Sequence, residues 1–241
     1  VFATTYANFI TMRAYEQIRV NLGYMKQNVK VVGTTGGLEI GVLGNTHYAI
    51  EDMALMRAIP NMVILSPADG FEIVKAVKAA ALYDGPVYLR LAGLMNMPIV
   101  YTEDFDFVIG KSNVIKEGKD ITIFATGTMV SVSLQAAKLL ETNGVNAKVV
   151  DVHTIKPLDK VAIHQAIEDT KLIVTVEEHT ILGGLGSAVA ETMAESGKVG
   201  KLLRLGIDDC FCKPGDYQYL LEQNGLTKQQ IADKILEVLE L

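Results

Sequence analysis

A chain of 241 residues, 49% hydrophobic and 21% charged, is long enough for one large or two medium domains with real cores. Its formal net charge of -6 argues against nucleic acid as a partner, since that affinity draws on clustered Lys and Arg. No apolar run approaches the roughly 20 residues of a membrane helix. The two cysteines, Cys210 and Cys212, are too few for a disulfide framework. As a CxC pair without a second ligand cluster they read as buried or idle thiols before a metal site. No signal peptide is visible and Val1 is not methionine, so the chain is expected to have lost its beginning and to act in the cytoplasm.

Strand-like and helix-like segments alternate along the chain, the pattern of an α/β protein. Short β-branched runs fall at Lys30–Thr35, Met62–Pro67, Val87–Leu91, Ile121–Thr126, Ala147–Val152, Leu172–Val176 and Leu202–Ile207. Continuous apolar runs of this kind suit parallel strands covered on both faces. Amphipathic stretches lie between them at Gly70–Leu82, Val130–Thr142, Lys160–Asp169 and Thr227–Leu239; in the first, Ile73, Val74, Val77 and Ala80 recur near helical spacing. Periodicity fades from Pro98 to Gly118, where Tyr101 to Phe107 is acidic and aromatic. The pattern predicts two three-layer units with mainly parallel sheets: an incomplete first unit over about 1–100, a linker over 101–115, and a complete second unit over 116–241.

Three segments carry candidate chemistry. In the first, Gly41 and Gly44 frame a loop that presents His47 and runs into Glu51 and Asp52. A loop histidine suits proton transfer near neutral pH, and a surface histidine without a task is the alternative. Glu51 and Asp52 are equally readable as acidic residues of a helix first turn, where the dipole favours them. In the second, Tyr6, Phe9 and Met12 stand three apart, so a helix would stack them on one face. A flat heteroaromatic ring can rest on such a face; core packing is the alternative. In the third, Gly183, Gly184 and Gly186 invite a dinucleotide reading, but Val189 takes the last place of the fingerprint and the preceding Glu177 and Glu178 would repel phosphate.

The segment containing Gly41, Gly44, Thr46, His47, Ile50 and Glu51 resembles the motif that lines the thiamin diphosphate site of the transketolase family. The Tyr6–Phe9–Met12 segment followed by Arg13 and Ala14, the run from Glu51 to Asp69, and Ile121–Gly127, Asp151–Pro157 and Glu177–His179 extend the likeness over essentially the whole chain. The resemblance implies a pyrimidine-binding domain followed by a transketolase C-terminal domain. It assigns Tyr6 and Phe9, with Met12 beside them, to packing against the cofactor's aminopyrimidine ring. It makes His47 the substrate-side proton donor or acceptor.

The chain also departs from the family. The Gly-Asp-Gly…Asn segment that holds the diphosphate through a divalent metal such as magnesium does not occur in it, and neither does the glutamate that activates the ring. The diphosphate segment is expected on an N-terminal domain or separate subunit and the glutamate upstream of Val1, so this chain alone is expected to be inactive. Thr35 and Leu43 stand where transketolases carry a substrate-binding histidine and aspartate. The phosphate-binding arginine falls at Gly93, and Arg90, three residues earlier, is the candidate in its place. A lost charged ligand removes a bond worth about 1.5–3 kcal/mol when buried, which puts ketose and aldose phosphates in doubt. The resemblance implies transfer of a two-carbon ketol unit by a homo-oligomeric complex. The alternatives are a 1-deoxy-D-xylulose-5-phosphate synthase-like enzyme or a 2-oxoacid dehydrogenase beta subunit, towards which Arg13–Gln17 and Leu182–Gly184 lean. A non-catalytic assembly module is the reading from another class.

Overall fold

In the computed structural model, which describes residues 1–93 and 98–241, the chain folds into two five-stranded sheets. The first contains β1 (Phe2–Tyr6), β2 (Lys30–Gly36), β3 (Val63–Leu65) and β4 (Val87–Ala92), all parallel, and β8 (Thr154–Lys156), antiparallel to β3, in the order β1-β2-β4-β3-β8. The second contains β5 (Asn113–Lys116), β6 (Ile121–Ala125), β7 (Ala147–Asp151), β9 (Leu172–Thr180) and β10 (Leu202–Ile207), ordered β10-β9-β6-β7-β5 with β5 antiparallel.

Four helices start where a side chain satisfies a free amide. The Asp69 side chain accepts the Glu72 N–H at 2.8 Å and opens α3 (Gly70–Leu82). Asp159 does the same for α5 (Lys160–Asp169), Asp216 for α7 (Tyr217–Gln223), and Thr227 with Gln230 forms a capping box on α8 (Lys228–Leu239). The remaining α-helices among the described residues are α1 (Tyr15–Gln17), α2 (Asp52–Arg57), α4 (Met129–Thr142) and α6 (Leu185–Glu195). Among the described residues no helix is long and apolar enough to cross a membrane.

Three differences from the sequence reading matter for the site. Tyr6 does not begin a helix. It ends β1, whose register against β2 runs from Phe2↔Lys30 to Tyr6↔Thr34, and the following turn over Phe9–Arg13 has the wider π winding. Second, the segment 101–115 packs closely on the second unit. Tyr101 stacks on Phe105 with ring centroids 3.8 Å apart and donates to Asp151 at 2.6 Å, while Phe107 lies over His153 at 4.1 Å. Third, β8 crosses from the second unit to extend the first sheet.

The apolar core follows this exchange. One buried cluster joins Ile10, Met53, Met56 and Ile64 of the first unit to Phe124, Val150, Ile155 and Ile173 of the second. Another takes Leu38, Tyr48 and Ile50 into the core beneath α4 and α8.

Candidate functional site

Open parallel sheets bind ligands beyond the carboxyl ends of their strands, and three of the predicted site residues, Tyr6, Phe9 and His47, gather there. Tyr6 stands at the end of β1, Phe9 on the next turn and His47 on the loop after β2. The His47 ring lies 5.2 Å from the Phe9 ring and 6.1 Å from the Tyr6 ring, and Tyr6 and Phe9 are 5.6 Å apart, all edge-to-face. Two hydrogen bonds fix this approach. Asn8 Nδ2 donates to the Thr46 carbonyl at 2.6 Å, and the Thr46 hydroxyl bonds His47 Nδ1 at 2.9 Å. The Arg13 guanidinium covers Phe9 at 4.1 Å from its ring centre, a cation–π contact.

The cluster is an open shelf: Tyr6 is 40% exposed, as is Met12 on the turn that carries Phe9. A groove of 430 Å³ lined by Ala54, Leu55, Leu182, Asp208 and Phe211 shares no residue with it. The shelf offers aromatic edges and faces to one flat ring, and the Arg13 charge beside it is already stacked. The residues present therefore fit the aminopyrimidine part of a thiamin cofactor. Among the described residues no cluster of His, Cys, Asp or Glu could hold a metal ion.

Of the substrate-side candidates, Leu43 is half exposed on the same loop as His47. Thr35 sits at φ +57, a conformation rare for a β-branched residue, with its hydroxyl turned to the Thr34 carbonyl at 2.6 Å. Arg90 is placed differently. It is 1% exposed, its Nε meets Asp52 Oδ2 at 2.8 Å, and Nη2 donates to the carbonyls of Ala49 and Glu178 at 3.2 and 3.0 Å. Burial works against the Arg90 charge, but Asp52, Tyr88 and Glu178 together outweigh it and the pKa rises. Arg90 is thus an internal strut, and Asp52 is its counter-ion as well as a first-turn residue.

Sequence reasoning passed over Glu39 and read Glu177 and Glu178 only as repelling phosphate. Glu39 is half-buried, and burial together with the nearby Glu178 carboxylate raises its pKa to about 7. Glu177 does not merely repel anions from the Gly183–Gly186 turn. Its carboxylate accepts the Leu185 and Gly186 N–H groups at 2.7 Å each, taking the place a phosphate would need. His179 is fully buried; Nδ1–H donates to the Thr180 carbonyl at 2.6 Å and Nε2 accepts from Ala54 N–H at 3.3 Å. Burial pushes its pKa down to about 4, so the ring is neutral. The available signal was an acidic pair closing a strand otherwise apolar; β9 runs on through it to Thr180, buried almost throughout.

Comparison with known proteins agrees with this architecture. The family model for the transketolase pyrimidine binding domain matches residues 1–93 and that for the transketolase C-terminal domain matches residues 110–231. The chain is 42% identical over 239 residues to a putative transketolase C-terminal section of Methanocaldococcus jannaschii, covering 98% of this chain and 74% of that protein. It is 40% identical to an apulose-4-phosphate transketolase subunit of Phocaeicola vulgatus, covering 98% and 75%. A structure described as a split gene transketolase, inactive beta4 tetramer, superposes with a TM-score of 0.89 at 41% identity, covering 100% of this chain and 76% of that one. The chain belongs to the transketolase family, of which it carries the pyrimidine-binding and C-terminal domains.

Proposed function

We propose that this chain is the C-terminal subunit or section of a thiamin diphosphate-dependent transferase that moves a two-carbon ketol unit, completed by a partner domain or subunit that binds the diphosphate through a divalent metal such as magnesium. The observation that carries the reading is the Tyr6–Phe9–His47 cluster at the carboxyl ends of β1 and β2, in a chain whose relatives include an apulose-4-phosphate transketolase subunit and a transketolase C-terminal section. The cofactor, when bound, supplies the electron sink that lets a carbon–carbon bond beside a carbonyl break.

The chain's own residues would do the rest. Tyr6, Phe9 and Met12 hold the ring by packing, and His47 moves a proton at the substrate's hydroxyl or carbonyl oxygen. Thr35 and the apolar Leu43 on the substrate side favour a substrate other than the usual ketose phosphates. The β4 assembly described for the split gene relative as inactive supports two further points: the chain self-associates, and it needs its partner for turnover.

The test has two parts. Calorimetric titration of the isolated chain with cofactor and magnesium should show weak binding or none; submicromolar binding would sink the divided-site reading. Assembled with its diphosphate-binding partner, the chain should transfer ketol units from ketose donors. Turnover confined to 2-oxoacid donors would move it to the dehydrogenase-like branch.

A further inference from the structure

The loop that carries Leu43 and His47 closes on itself. Gly37 and Ala49 exchange N–H···O bonds of 2.8 and 3.0 Å, an antiparallel bridge that forms a neck below residues 38–48. Gly37 has φ +79, and a Cβ there would overlap the carboxylate of Glu178. Glu178 belongs to the other unit, near the end of β9, and is 1% exposed. One carboxylate oxygen accepts the Leu38 N–H at 2.6 Å. The other accepts the hydroxyls of Thr128 and Tyr217 at 2.5 and 2.6 Å. The Glu178 carbonyl and the Ala49 carbonyl share Arg90 Nη2, so one side of the neck is tied to Glu178 and the other to Arg90, and these two residues are bonded to each other.

A carboxylate is costly to bury unless its oxygens are satisfied, and charge-assisted bonds of this kind are short and strong. Three donors from three separate segments satisfy this one, and one of the three is the first amide of the loop. Further along, the loop rests on the second unit. Asn45 Nδ2 donates to the Cys212 carbonyl at 2.9 Å, and the Gly215 N–H donates to the Gly41 carbonyl at 3.2 Å. The far end of the loop meets Phe9 and Tyr6 through His47.

We infer that Glu178 is a positioning residue for His47: the C-terminal unit reaches into the first unit through this carboxylate and sets where the imidazole stands against Phe9 and Tyr6. Tyr217 and Thr128 in turn hold the carboxylate. The C-terminal unit thereby takes part in the site and does not only assemble subunits. The importance of the placement for turnover rests on the function proposed above; the placement itself does not.

Glu178→Gln tests it, because an amide cannot accept from all three donors. On the chain alone, amide hydrogen exchange over residues 38–48 should accelerate on the order of tenfold while β6 and β7 keep their protection. The His47 ring resonances, shifted by the Phe9 and Tyr6 ring currents, should move towards those of a free imidazole. Tyr217→Phe, which removes one donor and keeps the carboxylate, should give a smaller rise in the same segment, and it carries the test if the Gln variant does not fold. In the assembled enzyme, Glu178→Gln should lower kcat and leave cofactor affinity unchanged. Unchanged exchange over 38–48 in both variants, or acceleration spread evenly through the second unit, overturns the inference. If the loop loosens as expected while kcat holds, the positioning stands and the role given to His47 falls.

Discussion

Asp52 at the start of α2 and Arg90 in β4 form a 2.8 Å ion pair in which neither side chain is more than 1% exposed. Tyr88 donates to the same Asp52 oxygen at 2.6 Å. Removing one partner of such a pair strands the other charge in the interior, a loss of about 3–5 kcal/mol. Asp52→Ala is expected to destabilise the chain by that order in chemical denaturation, and Arg90→Ala by a similar amount. A loss below about 1 kcal/mol, the range of exposed pairs, would refute the strut.

At the aromatic shelf, two substitutions should separate chemistry from packing. In the complete enzyme His47→Ala should reduce turnover, by about 10²–10⁴-fold if it handles protons, with little change in cofactor affinity. Phe9→Ala should weaken cofactor binding first. Turnover at saturating cofactor, measured beside cofactor affinity, distinguishes them; full turnover in His47→Ala with every donor would return His47 to an ordinary loop residue.

Glu72 and Asp151 meet between α3 and β7. Glu72 Oε2 accepts the Ala68 N–H at 2.7 Å and Asp151 Oδ2 accepts the Tyr101 hydroxyl, which leaves Glu72 Oε1 and Asp151 Oδ1 buried with no other partner among the described residues. A proton shared between the two carboxyls would satisfy both. Burial raises both carboxyls, and the Asp151 charge raises Glu72 further. Groups raised in the fold contribute stability below their ordinary values that is lost as pH rises through the folded ones. Glu72→Gln, whose amide can donate to Asp151 at any pH, is therefore expected to flatten the fall in Tm on the alkaline side of neutrality. An unchanged slope would show that the oxygens do not share a proton.

His153 acts at the other end of the scale. Burial lowers its pKa from 6.5 to about 4, against a smaller opposing pull from Asp159. Its Nε2 is buried without a partner among the described residues, so the fold holds the neutral ring. A depressed value means stability present above 6.5 and lost as pH falls towards 4, at about 1.4 kcal/mol per pH unit. His153→Phe keeps a ring to stack on Phe107 and should remove this part of the acid loss, measured by denaturation at several pH values in that window.

What the sequence disclosed was what local pattern encodes. The span predicted for α3, Gly70–Leu82, is the observed one, because Asp69 caps it and its apolar residues keep helical spacing. The β-branched runs of β2, β4 and β6 needed only their composition. Strand β8 was illegible because three residues, Thr154–Lys156, become a strand only through pairing with Ile64 and Leu65. Tyr6 was misassigned for a related reason: its three-residue spacing to Phe9 matches a helix, but parallel pairing with β2 claims it. The approach of Tyr6, Phe9 and His47 could be proposed from the chain, whereas the part Glu178 plays could not. Its three donors come from residues 38, 128 and 217, and no window of sequence contains them together.

The crossing of β8 also bears on how such a protein can be rearranged in evolution. A break or recombination point between 98 and 112 would separate β3 from the strand that pairs along its outer side. The first module would then travel with a bare edge, open to promiscuous pairing. Exchanging one half of the fold for another would therefore have to supply a new strand along β3.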